Sequence, residues 1–142
     1  MLKQTLFNSI YILLQCTWGL PQTLLGLVLF LRHIKAPHAF YRGCIRTEWP
    51  HGGGVSLGLF IFTADAAHAP SAERRAALAA HEYGHTLQSL LLGPLYLFTV
   101  GIISFTWANA PRFRRMRAER GLPYSHCFVE CWADRLGGST QI

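Results

Sequence analysis

Two long uncharged runs dominate the hydropathy pattern: no charged side chain occurs from Thr5 to Leu31, and none from Thr86 to Pro111. Each exceeds the roughly twenty residues that an apolar helix needs to cross a bilayer. The first run predicts a transmembrane helix over residues 5–31. A cleaved signal peptide fits it less well, since the apolar region is too long and no A-x-A-like site follows Leu31. Within it Asn8, Gln15 and Gln22 recur every seven residues, which places them on nearly one face. Polar side chains in a span face protein rather than lipid, so this face predicts helix–helix packing, with a second copy of the chain as one partner. Pro21, just after Gly19-Leu20, predicts a kink.

Between the runs the pattern changes. Ala39 to Trp49 and Val55 to Thr63 are rich in aromatic and β-branched residues and flank Pro50-His51-Gly52-Gly53-Gly54, which predicts a β-hairpin over 39–63. Ser71, following Pro70, is a candidate N-cap for the next helix.

That helix carries His81-Glu82-Tyr83-Gly84-His85. Positions i and i+4 share a helix face, so both imidazoles can reach one metal ion. Glu82, offset by about one hundred degrees, stands beside the metal rather than on it, in reach of a water whose proton it can accept. A catalytic zinc site needs a third protein ligand and an open position. Glu130, in Glu130-Cys131-Trp132-Ala133-Asp134, meets that need.

With H-E-x-x-H followed by E-x-x-A-D, the chain resembles the gluzincin metallopeptidases, and among them the membrane-bound members of the prenyl-protein and heat-shock peptidase type. The resemblance implies one zinc ion held by His81, His85 and Glu130, with Glu82 as general base and acid. It also implies Asp134 as the carboxylate that orients a ligating histidine, a role metal-bound imidazoles regularly require. In gluzincins a strand beside the active-site helix pairs with the backbone of an extended substrate, and Val55, Ser56, Leu57, Gly58, Leu59 and Phe60 occupy the matching place. The same apolar residues equally suit a buried or membrane-touching strand. His126 and Tyr124 are weaker candidates for stabilising an oxyanion. His33, His38, His51 and His68 have no motif partner.

The metal motif constrains the second uncharged run. As one straight span it would put His85 at one membrane face and Glu130 at the other. Gly93-Pro94 offers a break, since proline ends the helix before it. A helical hairpin over 71–110 is therefore expected, followed by a third-ligand helix over 124–137. The architecture expected is one α+β membrane domain, residues 1–142, with 51% hydrophobic and only 14% charged residues.

Of thirteen Lys and Arg, only Lys3 precedes the first run. By the positive-inside rule the remainder face the cytoplasm, placing the active site on the cytoplasmic side of a cell (inner or plasma) membrane. The net charge of +6 suits anionic headgroups of the lipid bilayer better than nucleic acid, because the Arg112 to Arg120 cluster abuts a membrane segment. Four cysteines without a C-x-x-C pattern suit a reducing compartment. The function expected is an integral-membrane zinc metallopeptidase acting on a peptide or protein substrate, with homo-oligomerisation through the first helix as a further expectation. The alternative is a non-catalytic membrane protein in which zinc staples two helices as a structural or partner-binding module.

Overall fold

The computed structural model describes residues 2–139. Its helices surround one small sheet: α1 (Leu2–Thr17), α2 (Leu20–Arg32), β1 (His38–Tyr41), β2 (Cys44–Trp49), β3 (Val55–Leu57), β4 (Phe60–Ala64), α3 (Ala72–Leu92), α4 (Ile102–Asn109), α5 (Pro111–Arg120) and α6 (Phe128–Gly137). A 3₁₀ turn over Gly93–Tyr96 and a π turn over Leu97–Gly101 join α3 to α4.

The expected single helix over 5–31 is two helices bent by 95°. At 16 and 13 residues, neither alone reaches the roughly twenty residues of a straight span. The bend exceeds a proline kink because the backbone bonds regroup around it. Gly19 N–H reaches back five residues to the Leu14 carbonyl (2.9 Å), and the Thr23 hydroxyl takes the Gln15 carbonyl (2.7 Å). The predicted polar face then packs inside the chain. Gln15 donates to the Thr86 carbonyl (3.0 Å), while Gln22 donates to the Ser89 hydroxyl (2.7 Å) and the Gly93 carbonyl (3.0 Å). Both glutamines are completely buried. Asn8 is half-buried and accepts from the Gln4 amide (3.0 Å).

The expected hairpin over 39–63 is instead a four-stranded sheet in the order β1-β2-β4-β3, with β1/β2 and β3/β4 antiparallel and β2/β4 parallel. Each predicted strand contains its own two-residue turn. Tyr41 pairs with Cys44 across Arg42-Gly43, and Leu57 pairs with Phe60 across Gly58-Leu59. Arg42 holds a left-handed φ of 48° without being the Asn, Asp or Gly that marks such turns. Its guanidinium lies over the adjacent Tyr41 ring, and in the folded chain also over Tyr83, and donates to the Gly137 carbonyl (3.1 Å). β4 is buried along its whole length beneath α3, leaving β3 as an edge strand.

The helical stretch Ala72–Asn109 is long and apolar enough to cross a membrane, but it reverses. On a straight helix Ser104 would lie about 28 Å beyond His85. Instead it lines the same cleft as His85 and Tyr124, and Glu130 is in contact with His85. The reversal occurs at Gly93, with φ 54° and ψ −132°. Positive φ suits glycine, and the Trp18 ring fills the space where a Cβ would stand. Leu91, Leu95, Phe98, Ile102, Ile103 and Phe105 are exposed on this hairpin, as are Leu6, Ile10, Leu13, Leu24, Leu25 and Val28 on the bent pair.

α6 runs antiparallel to α3 in backbone contact. A Cβ at Gly84 would overlap the Ala133 carbonyl, and one at Gly137 would overlap the Ala80 carbonyl. Alanine gains about 1 kcal/mol of helix propensity over glycine, whereas overpacking a rigid contact costs about 1–3 kcal/mol. Gly84→Ala is therefore expected to lower stability by on the order of 1–2 kcal/mol, read as an earlier thermal transition in detergent. An unchanged or later transition would contradict the tight crossing.

Candidate metal centre

The sequence makes α3 a helix by capping and periodicity. The Ser71 hydroxyl accepts from Arg74 N–H (3.2 Å), and eleven of its residues from Leu78 to Ser89 are buried. His81, Glu82 and His85 thereby share its inner half, each no more than 4% exposed. The α3–α6 crossing brings up Glu130, which is fully buried. His81 Nε2 lies 3.0 Å and His85 Nε2 3.1 Å from Glu130 Oε2. The two imidazoles stand perpendicular, their centroids 4.8 Å apart.

The outer nitrogens are held as well. His81 Nδ1 is 2.7 Å from Asp134 Oδ1, and His85 Nδ1 is 2.7 Å from Gln88 Oε1. Both partners accept, so each ring donates from Nδ1 and turns Nε2 toward Glu130. Gln88 is fixed in turn by donating to the Val129 carbonyl (2.8 Å). Three atoms able to ligate a metal thus converge within 4.8 Å of one another, an arrangement that can hold a cation. Tetrahedral ligands at about 2.0–2.1 Å from zinc stand roughly 3.3 Å apart, close to the spacing found. Glu130 Oε1 is buried without a hydrogen-bond partner, a second lone-pair atom left for a cation. His81, His85 and Glu130 form a buried group that can hold a metal ion.

Burial opposes the charge on Glu130, yet contacts from His81 and then His85 hold its carboxyl down at about 2. It is anionic at any working pH. Burial, followed by the charges of Glu130 and Glu82, pushes the Tyr124 phenol far above its ordinary range, so it remains a donor. Tyr124 stands 6.1 Å, ring to ring, from His81.

A cleft of about 600 Å³ opens onto these groups, with His81, Glu82 and His85 on one wall, Ser104, Phe105 and Asn109 of α4 on another, and Gly52 to Leu57 on a third. Gly54 passes so close to Glu82 that a Cβ there would overlap the carboxylate. Of the predicted strand Val55 to Phe60, only Val55, Ser56 and Leu57 line the cleft. Gly58-Leu59 forms the turn, and Phe60 begins the buried β4. Tyr124 lines the cleft, whereas His126 is exposed and stacks on Trp107. Cys127 and Cys131 are free and partly buried, outside the metal-ligating group.

Sequence reasoning did not single out Gln88 or Ser104. Gln88 carries a signal, a polar residue one helical turn past His85 inside an apolar run. Ser104 has none, because its place depends on the reversal at Gly93.

Compared with protein-family models, with curated proteins and with solved structures, the chain matches none. The gluzincin resemblance therefore rests on the two motifs and on the side-chain group they form. Removing the partner of His81 in Asp134→Ala is expected to weaken zinc affinity about 10–100-fold, measured by competition with a chromophoric chelator. Affinity equal to that of the unaltered chain would show that the carboxylate does not set the imidazole.

Proposed function

We propose that this chain is an integral-membrane zinc metallopeptidase. The observation that carries the reading is the placement of a buried carboxylate, Glu82, beside a three-ligand group at the wall of a cleft large enough for a peptide segment. A zinc ion held by His81, His85 and Glu130 would acidify a water and polarise a carbonyl.

Glu82 takes a proton from the attacking water and returns it to the leaving amine. The Tyr124 phenol, neutral and facing the cleft, donates to the oxygen that gains charge as the carbonyl becomes tetrahedral. β3, an edge strand that lines the cleft with Val55, Ser56 and Leu57, lies alongside the path of an extended backbone. Gly54, with no side chain, leaves room at Glu82.

The exposed apolar residues of the bent pair and the hairpin support a bilayer around them, since soluble monomers seldom show such broad apolar surface. α5 has no buried residue and carries Arg112, Arg114, Arg115 and Arg120 beside the hairpin, a composition suited to anionic headgroups. On this reading the site faces the cytoplasm. The rival reading, a structural zinc staple, draws on the depth of Glu130 between α3 and α6. An open cleft at Glu82 favours catalysis.

Glu82→Gln is expected to retain zinc while losing at least about 100-fold in peptide cleavage, assayed on detergent-purified protein with a broad peptide set. Turnover undiminished in that variant would end the mechanism, and zinc retained with no cleavage by either form would favour the staple.

A further inference from the structure

The two ends of the cleft differ in chemistry. The chain reverses at Gly93, so the cleft is lined by Arg74, His81, Glu82 and His85 from α3 and by Tyr96, Leu97 and Asn109 from the segment after the reversal. The inner end is apolar, with Leu57, Leu97 and Ile102, and the buried Tyr96 phenol shuts it by donating to the Ser56 carbonyl (3.4 Å).

The outer end carries a cation without a counter-charge. Arg74 lines the cleft, and it makes no ion pair among the described residues. Its neighbours are otherwise engaged. Arg75 donates to the carbonyls of Ala69 (2.7 Å) and Pro70 (2.9 Å), and Glu73 receives the Ser71 hydroxyl (2.6 Å). Glu82 is the one carboxylate in the lining, and it lies eight residues further on, about 12 Å along the helix.

We propose that Arg74 is a specificity residue that binds a carboxylate of the substrate, carried three or four residues from the bond that is cut. The spacing follows from about 12 Å of helix against about 3.3 Å per residue of extended peptide. The guanidinium fork matches a carboxylate in geometry as well as charge. The carboxylate belongs either to the chain terminus or to an Asp or Glu side chain. The proposal rests on the hydrolase reading for the reaction but not for the binding.

The test uses neutral, extended decapeptides with free or amidated carboxyl termini, with and without one internal glutamate, and maps the cuts by mass spectrometry. Carboxylate-bearing peptides are expected to be cut about tenfold more efficiently in kcat/KM, three or four residues from the charge. Arg74→Gln should bring that ratio close to one, and Arg74→Glu should move the preference to lysine-bearing peptides. Preference for a free terminus alone assigns the chain end, and preference for glutamate in amidated peptides assigns a side chain. Cuts placed without regard to the carboxylate, with the same ratio in Arg74→Gln, would overturn the proposal and leave the hydrolase intact. The same peptides are also titrated onto Glu82→Gln by fluorescence anisotropy. Carboxylate-dependent binding that Arg74→Gln abolishes, with no cleavage by the unaltered chain, would support the anion site and end the hydrolase reading. Binding indifferent to the carboxylate would overturn the anion site itself.

Discussion

The backbone contact between α3 and α6 is the constraint on which the buried His81, His85 and Glu130 group depends. Helices usually pack with axes 8–10 Å apart, and at that spacing a glutamate on one helix faces imidazoles on the other across a layer of side chains. Here Ala80 and Gly84 on α3 meet Ala133 and Gly137 on α6, each helix offering two small residues four apart. The layer is absent at the crossing. The short carboxylate arms of Glu130 and Asp134 then suffice to reach His81, one at each ring nitrogen. Gly84, the fourth residue of the histidine motif, thus has a packing role separate from the chemistry of its neighbours.

A second set of interactions keeps α3 in place from its other side. Gln15 and Gln22, brought onto one face by the bent pair, satisfy backbone carbonyls at Thr86 and Gly93 and the Ser89 hydroxyl. Buried amides in an apolar setting are costly unless hydrogen-bonded, so each polar side chain specifies a particular docking. Trp18 at the bend covers Gly93 at the reversal. The two sharp changes of direction in the chain therefore meet, and α3 cannot shift without breaking several of these bonds.

Local signals explain which parts of the site were legible. H-E-x-x-H at helical spacing fixes two ligand positions, and a carboxylate pair one turn apart supplies Glu130 and its neighbour Asp134. The β-rich middle segment was legible as strand, but its topology was not. Arg42 adopts a turn conformation stabilised by the adjacent Tyr41 and, from far along the chain, by Tyr83 and the end of α6, and the last two contacts are not local. The first apolar run was legible as helix, whereas its 95° bend arises from bonds among Leu14, Gln15, Gly19 and Thr23 that composition does not reveal.

Periodicity and residue chemistry, being properties of neighbours along the chain, determined by themselves that helices carry two histidines at metal-ligating spacing and a later carboxylate, and that two long segments carry no charge. Tertiary structure alone decided which side chains converge at one point and that Ser104 and Arg74 share one cleft. Those outcomes depend on the reversal at Gly93 and on the close crossing at Gly84. Both are set by contacts between residues far apart in sequence, whose approach no local pattern encodes.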